Sequence, residues 1–256
     1  MLSTTSTAPV VEEAPETAGL VDMTLTVLGS LPHDPLAFTQ GLVLRDGLFY
    51  ESTGLYNRSS MRIVDPATGG VLLFRPLDGR FFGEGLELVG DRLIQLTWKE
   101  ETALVWRVKP LEPINAFSYE GEGWGLCAKQ SSSPDPILVM SDGSSWLTFR
   151  DPDTFEIVGE VEVLMEGVPI SNLNELECVG DLVYANVWMT DLIVVINPTT
   201  GQVVGRVDAS SLRGLLPSTE GIDVLNGIAY DPETGSFYLT GKFWPTLFEV
   251  TITPRA

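Results

Sequence analysis

The sequence predicts an all-β protein, a five-bladed β-propeller made of four-stranded antiparallel blades. The main observation is a short motif that occurs five times: a polar or aromatic residue, then a small or acidic residue, then Leu or Ile. The copies are Gln40-Gly41-Leu42, Glu84-Gly85-Leu86, Trp124-Gly125-Leu126, Asn174-Glu175-Leu176 and Asn226-Gly227-Ile228. The leading residues are 44, 40, 50 and 52 positions apart, which is the spacing of a four-stranded propeller blade.

The residues after each motif supply the other strands of a blade. A second segment alternates apolar and polar residues and ends in a polar or aromatic cluster, at 48–54, 93–100, 137–144, 182–191 and 237–245. A third strand and a turn rich in Asp, Asn, Pro and Gly follow, as at 65–69, 151–154 and 197–201. Outer strands are predicted at 71–74, 114–119, 157–163 and 203–208.

The fifth copy has no outer strand of its own, since only one more strand, 247–252, follows its second segment. The segment 23–31, MTLTVLGSL, precedes the first motif and has a strand pattern but no blade. An open ring would expose two sheet edges. We therefore expect this N-terminal strand to complete blade five and to close the ring.

The repeats place the domain boundary near residue 20. Residues 1–20 are rich in Ser, Thr, Pro and acids without periodicity, so we expect a disordered tail before a single catalytic domain at 21–256. The tail has neither the basic start nor the apolar core of a signal peptide, which predicts a cytoplasmic protein and leaves export open. No stretch reaches the roughly 18 apolar residues of a membrane span.

Charge and composition exclude several classes of function. Fifteen Lys and Arg against 35 Asp and Glu give a net charge of -20, which disfavours binding to nucleic acid or to anionic membranes. We expect a monomer. The single histidine, His33, lies in a Pro-rich linker where a turn role is expected, and it excludes His-rich zinc sites. Cys127 and Cys178 follow the third and fourth motifs, and neighbouring inner strands could bring them close. Without an export signal they are expected to be reduced, buried thiols, with a disulfide as the alternative.

Equivalent positions in a ring of blades point toward one axis, so the leading residues of the five motifs should surround one pocket. Glu84 is the only acid among the five leading residues. It has glycines on both sides, and Phe81 and Phe82 precede it. Burial among rings would raise the pKa of this carboxyl toward neutrality, as a general acid and base requires. The alternative is a tight turn with a solvated glutamate.

Three further residues are candidates for the pocket wall. Trp98 and Trp188 each follow the leading residue of their blade by 14 positions and have polar neighbours. They form either a wall for a ligand or plain core. Lys242, among Phe243 and Trp244, either extends outward or lies over the pocket.

A set of segments, in order along residues 24–252, carries a family resemblance. They are FTQGL (38–42), ESTGLYNRSSMR (51–62), FGEGL (82–86), LTWKE (96–100), EGWGL (122–126), SDGSS (141–145), LNELE (173–177), NVWMTD (186–191), LNGIAYDP (225–232) and TGKFWP (240–245). In these the chain resembles the plant-type glutaminyl cyclases, or glutamine cyclotransferases, of plants and bacteria. It lacks an evident counterpart of their signal sequence and their paired cysteines.

The resemblance implies a five-bladed propeller that converts N-terminal glutamine of peptides or proteins to pyroglutamate with release of ammonia. Such an acyltransferase needs no catalytic metal, while a structural calcium ion in the central channel is left open. The essential glutamate of the family falls on Glu84. The implied substrate-binding residues are Phe38, Gln40, Phe82, Trp98, Trp124, Asn174, Trp188 and Lys242.

Two other classes of function compete with this one. A calcium-dependent propeller lactonase or related hydrolase could use oxygen ligands from Glu84, Asn174 and Asn226. A non-enzymatic propeller that binds peptides is the other, because a fold does not fix a function. The aromatic wall and Lys242 favour the cyclase.

Overall fold

The computed structural model describes residues 19–130 and 136–255. Most of the predicted tail, residues 1–18, lies outside this range, and Gly19 and Leu20 lead directly into the first strand, β1 (Val21–Pro32). The described residues form strands with a single short helix, the 3-10 turn Ser210–Leu215. The all-β prediction is confirmed.

Three antiparallel sheets have four strands each, in chain order. The first contains β2 (Thr39–Arg45), β3 (Leu48–Thr53), β4 (Ser60–Val64) and β5 (Val71–Pro76). The second contains β6 (Gly83–Val89), β7 (Arg92–Thr97), β8 (Thr102–Arg107) and β9 (Glu112–Ser118). The third contains β10 (Leu126–Lys129), β11 (Ile137–Ser141), β12 (Trp146–Arg150) and β13 (Ile157–Glu162). A two-stranded ribbon, β14 (Leu164–Met165) and β15 (Val168–Pro169), follows them.

The remaining strands form one sheet of eight. Its two antiparallel sets are β16 (Leu173–Val179), β17 (Leu182–Val187), β18 (Leu192–Ile196) and β19 (Val203–Asp208), and then β1, β22 (Thr246–Pro254), β21 (Ser236–Gly241) and β20 (Leu225–Asp231). A short parallel pairing of β19 with β1, from Val21 opposite Gly205 to Met23 opposite Val207, joins the sets. The repeat pattern did not predict this pairing. It forms because β1 is long, and its first residues, Val21 and Asp22, extend beyond the part that pairs with β22.

The N-terminal strand pairs with the C-terminal one. Strand β1 is antiparallel to β22, with Met23 opposite Pro254 and Leu31 opposite Leu247. This confirms the expectation that the segment 23–31 supplies the outer strand of the last set. Each of the two strands thereby covers the edge that the other would expose.

The first strands of the sets contact one another in a cyclic order. Four of them contain a whole motif, and β10 begins at Leu126, the last residue of the third motif. Strand β2 contacts β6, β6 contacts β10, β10 contacts β16, β16 contacts β20, and β20 contacts β2. The motif glycines allow this approach: a Cβ on Gly41 would lie 2.5 Å from Leu86 N, and one on Gly85 would lie 2.6 Å from Trp124 O. Glycine at these positions therefore brings neighbouring backbones together.

Strand irregularities occur at the motifs themselves. The pairing of first and second strands shifts register between Thr39 and Gly41, between Gly83 and Leu86, between Leu173 and Leu176, and between Leu225 and Ile228. A β-bulge turns a side chain away from the regular alternation. The leading residues Gln40, Glu84, Asn174 and Asn226 all lie in these bulges.

The fourth motif has Glu175 where the others have glycine. This side chain is 1 % exposed, and it accepts hydrogen bonds from Leu42 N (3.4 Å) and Ile228 N (2.7 Å). Burial raises the pKa of Glu175 well above its usual range. One carboxyl group thus links β16 to two other first strands.

Apolar side chains pack between neighbouring sheets. Tyr50 of the first sheet shares a buried cluster with Leu93 and Trp106 of the second, and in the eight-stranded sheet Ile193 packs with Leu239. Such burial is the main driving force for folding. In residues 19–130 and 136–255 there is no helix long and apolar enough to cross a membrane.

The expectation of two reduced thiols was wrong. Cys127 on β10 and Cys178 on β16 form a disulfide, with Cα atoms 5.4 Å apart. The physical reason is the contact between β10 and β16, which brings the two thiols within disulfide reach.

His33 does more than occupy a turn. Its buried ring bonds to Trp244 O through Nδ1 (2.7 Å) and to Glu51 Oε1 through Nε2 (3.0 Å). The carboxylate of Glu51 also accepts a hydrogen bond from Thr39 Oγ1, and Arg62 Nη1 lies 3.8 Å away. A buried ionic group therefore ties the linker after β1 to β3 and β4.

Candidate active site

The motifs open onto a cavity of about 520 Å³. All nine residues predicted for the site line it: Phe38, Gln40, Phe82, Glu84, Trp98, Trp124, Asn174, Trp188 and Lys242. Three lining residues were not predicted, namely Leu55, Met189 and Asp223. They lie between strands and outside the five motifs.

Glu84 is held in the wall of the cavity by its neighbours. Its residue is 5 % exposed, and its Oε1 accepts a hydrogen bond from Gln40 Nε2 (2.9 Å). Oε2 makes no hydrogen bond to a described residue. Gly83 N donates to Ser59 Oγ (3.0 Å) and Gly85 N to Trp124 O (2.7 Å), which fixes the backbone on both sides of the glutamate.

The surroundings of Glu84 determine its protonation. Burial raises the pKa of its carboxyl well above the usual range, the positive charge of Lys242 partly offsets this, and the negative charges of Glu122 and Glu100 add to it. A carboxyl of this kind exchanges protons more readily near neutral pH than an exposed one. The solvated turn considered as the alternative is excluded by the burial.

Lys242 lies in the pocket and does not extend into solvent. It is 4 % exposed, and its Nζ is 4.7 Å from the ring centroid of Phe38. Burial lowers the pKa of this ammonium group, and the charge of Glu84 opposes the shift. The strand β21 ends just before it, and its backbone N–H donates to Val224 O (2.9 Å).

Aromatic rings form most of the wall. Phe82 meets Trp98 edge-on with centroids 5.5 Å apart, and Trp124 meets Trp188 in the same way at 5.5 Å. Trp188 is 37 % exposed, which places it at the mouth. Edge-to-face pairs of this kind hold the rings in defined orientations.

Glu122 supports two of these rings from outside the cavity. Its Oε2 accepts hydrogen bonds from Trp98 Nε1 (2.7 Å) and Trp124 Nε1 (3.0 Å), and Lys99 Nζ lies 3.4 Å from Oε1. Partial burial alone would raise the pKa of Glu122, but these donors outweigh it and lower the pKa. The sequence signal was present, since Glu122 is two residues before Trp124 in EGWGL, but only the fold brings Trp98 to it.

The two leading asparagines differ in their surroundings. Asn174 lines the cavity, and its Oδ1 is buried without a hydrogen-bond partner among the described residues. Asn226, expected to face the pocket, does not line it. Its Nδ2 donates instead to Gln40 Oε1 (3.2 Å) and Thr39 O (3.0 Å). Gln40 thus links Asn226 to Glu84.

The described residues contain no group of three or more His, Cys, Asp or Glu side chains placed to hold a metal ion. Asn226, one of the three residues that a lactonase-type calcium site could use, donates its Nδ2 to Gln40 Oε1, and its Oδ1 is buried without a hydrogen-bond partner among the described residues. A structural calcium ion in the channel stays a prediction.

Comparisons with known proteins agree with one another. A family model described as "Glutamine cyclotransferase" matches residues 1–252. A protein of Arabidopsis thaliana named "Glutaminyl-peptide cyclotransferase" is 42% identical over 233 residues, which is 89% of this chain and 71% of the relative. The crystal structure of Myxococcus xanthus glutaminyl cyclase is similar with a TM-score of 0.85 and 40% identity, over 93% of this chain and 100% of the other.

Proposed function

The chain belongs to the glutamine cyclotransferase family and is a glutaminyl-peptide cyclotransferase, an acyltransferase, and we propose that Glu84 moves the proton that its reaction requires. The observation that carries this proposal is the burial of Glu84 in the wall of the cavity, with Gln40 on Oε1 and Lys242 nearby. The substrates are peptides or proteins that begin with glutamine, and the products are the pyroglutamyl chain and ammonia.

For the fold, we propose five blades around one axis. Three separate four-stranded sheets and the two sets of four within the eight-stranded sheet supply five units. The cyclic contacts among β2, β6, β10, β16 and β20 support their arrangement in a ring, as a single domain over residues 21–256.

The reaction joins the α-amine to the side-chain carbonyl carbon of the same glutamine. An α-amine has a pKa near 8, so it is mostly protonated at neutral pH, and the amide is a poor electrophile with a poor leaving group. A group in the site must therefore accept a proton from one nitrogen and deliver it to the other.

The neutral form of the α-amine reacts. Glu84 as the carboxylate accepts a proton from this nitrogen while the nitrogen forms a bond to the carbonyl carbon. The same proton then passes to the amide nitrogen as its bond to carbon breaks, so that ammonia leaves and Glu84 returns to its starting state. Gln40 orients the carboxylate through Oε1 and leaves Oε2 for the substrate.

Negative charge develops on the carbonyl oxygen during the attack. Lys242 and Asn174 line the same cavity and are the donors assigned to this oxygen. Gln40 is less suited to that role than expected, because its Nε2 is already bonded to Glu84. In comparable sites one such donor contributes about 2.7–4 kcal/mol to the stability of the transition state.

The aromatic wall favours the reactive conformer. A glutamine side chain must fold back on its own amine, and packing against Phe82, Trp98 and Trp124 favours that shape over extended ones. The rings also exclude water from the reacting atoms.

The disulfide bears on location. Bonds of this kind persist in oxidising compartments and are rare in the cytoplasm, so Cys127–Cys178 supports a site of action outside the cytoplasm. We propose this location in place of the cytoplasmic one that the sequence predicts. A monomeric state stays a prediction.

Mass spectrometry of a Gln-initiated peptide and of its Asn-initiated counterpart tests the proposal. The wild type should remove one ammonia from the first peptide only. Glu84→Gln should lose about 10²- to 10⁴-fold in kcat while it still binds the peptide, as judged by quenching of tryptophan fluorescence. Glu112→Gln, at the distant start of β9, is the matched control. Full activity of Glu84→Gln would show that another group moves the proton.

A further inference from the structure

A second cavity lies directly beside the candidate active site. It has a volume of about 340 Å³, and it shares the lining residues Phe38 and Leu55 with the active-site cavity. These two side chains therefore form the partition between the cavities. The backbone around them is fixed, since Gly54 N donates to Phe38 O (2.8 Å) and Arg58 N to Leu55 O (2.9 Å).

The walls of this cavity combine apolar and cationic side chains. Leu36 and Phe74 are large apolar residues that line the cavity and are 68 % and 47 % exposed. Arg58 and Arg62 line it as well, in a protein whose net charge is -20. Apolar walls with a few placed polar groups are typical of binding sites for small molecules and peptide side chains.

The acid that lines the cavity is already paired. Asp34 Oδ2 lies 2.7 Å from Arg62 Nη1, and Asp34 Oδ1 accepts a hydrogen bond from Leu36 N (2.9 Å). Arg62 also donates through Nε to Ser60 Oγ (2.9 Å), and its side chain is 9 % exposed. The wall is therefore built by internal contacts and needs no ligand to form.

Some hydrogen-bond donors of the cavity remain available for a ligand. Arg62 Nη2 makes no hydrogen bond to a described residue, and Arg58 has no ion pair within residues 19–130 and 136–255. Arginine forms paired hydrogen bonds with carboxylates because its planar group matches their geometry. Arg58 is exposed at the cavity and has no counter-charge among the described residues. It is therefore the residue that should determine which charge of ligand the cavity prefers.

We propose that this second cavity binds the part of the substrate that follows the N-terminal glutamine, and that it selects a carboxylate there. The proposal rests on the cyclotransferase function. With glutamine in the first cavity, the next one or two residues of an extended chain, at about 3.3–3.6 Å each, cross Phe38 and Leu55. The carboxylate is either an acidic side chain at position two or three or the C-terminus of a short peptide.

Steady-state kinetics on matched peptides tests this. Amidated peptides carry Gln at position one and Glu, Gln or Lys at position two or three, and Gln-Ala is compared as the acid and as the amide. Preference for Glu in the amidated peptides identifies a side chain, and preference for free Gln-Ala identifies a C-terminus. Either supports the proposal. We expect kcat/KM to favour the carboxylate about fivefold through KM.

Two substitutions of one residue make the test specific. Arg58→Gln should remove the preference, and Arg58→Glu should reverse it in favour of Lys. Lys109→Gln removes a cation that lines neither cavity and should leave the preference unchanged. Equal rates with all peptides, or a preference that survives Arg58→Gln, would overturn the second site alone. If no Gln-initiated peptide were cyclised, the function and this inference would fail together.

Discussion

Trp98, which follows β7, and Trp124, which precedes β10, donate their indole N–H groups to the same carboxylate oxygen, Glu122 Oε2, over 2.7 and 3.0 Å. This shared acceptor joins two parts of the aromatic wall that are not neighbours in sequence. It also places a negative charge close enough to Glu84 to raise the pKa of that residue. Glu122 therefore influences both the shape of the pocket and the protonation of its acid.

Glu122→Gln removes the negative charge and keeps an oxygen that can accept from both indoles. These hydrogen bonds are weaker to a neutral amide than to a carboxylate, so KM should rise about three- to tenfold. Loss of the charge should lower the pKa of Glu84, so the acidic limb of the pH–rate profile should move to lower pH. Glu120→Gln, an exposed neighbour, is the control. A limb that stays in place would show that Glu122 does not act on Glu84.

Lys242→Met should move the acidic limb of the pH–rate profile in the opposite direction. The charge of Lys242 lowers the pKa of Glu84, so its removal should raise that pKa and shift the acidic limb to higher pH. kcat should fall about 10²-fold because a donor to the oxyanion is lost. Lys242→Arg should restore the position of the limb. A shift to lower pH in the Met variant would contradict this assignment.

Removal of the disulfide should cost stability without changing the site. The two cysteines are 51 positions apart, and closing a loop of this length is worth about 4 kcal/mol in the chain-entropy account. The Cys127→Ala/Cys178→Ala variant should lose about that much free energy of unfolding in urea, and a reductant should affect only the wild type. Titration of two free thiols in the untreated protein would refute the bond.

The buried pair His33–Glu51 predicts a pH-dependent stability. Burial alone would lower the pKa of His33, but the Glu51 carboxylate outweighs it and raises the pKa above 6.5. Burial alone would raise the pKa of Glu51, but His33 and Arg62 outweigh it and lower the pKa below 4.5. The stabilisation is thus complete between pH 4.5 and 6.5. It is lost as pH rises through the raised pKa of His33 or falls through the lowered pKa of Glu51.

Urea unfolding from pH 4 to 9 measures this dependence. The free energy of unfolding of the wild type should decline as pH rises above 6.5, and the decline should be absent in His33→Gln. That variant should be less stable by about 1–3 kcal/mol near pH 6, because Glu51 loses the cationic ring and keeps only Thr39 Oγ1 and, at 3.8 Å, Arg62 Nη1. Parallel curves for the two proteins would show that the pair stays neutral.

The repeat accounts for what the sequence could predict. Because the motifs recur at blade spacing, residues as distant as Gln40 and Asn174 could be assigned to one cavity. Spacing left the direction of Lys242 open, and the family resemblance placed it in the site. Their side-chain contacts were not predictable in the same way. Asn226 occupies an equivalent position, but the amide of Gln40 lies within its reach and binds it.

The residues that were missed share a physical reason. Leu55, Met189 and Asp223 lie outside the strands and outside the five motifs, and Glu122 acts through hydrogen bonds formed only after the chain has folded. The cysteines were misjudged because the expectation of reduced thiols rested on the absence of an export signal, although their strands were expected to be neighbours. Pairing of β1 with β22 was predictable, since a missing strand and a spare one were both visible in the sequence.

That pairing has a consequence for biosynthesis. Contacts such as Met23 with Pro254 join positions that leave the ribosome at very different times. Until β22 is made, β1 has no antiparallel partner, and non-local pairings of this kind form slowly. The nascent protein therefore carries an unprotected strand through most of its synthesis, during which chaperone binding or self-association can occur.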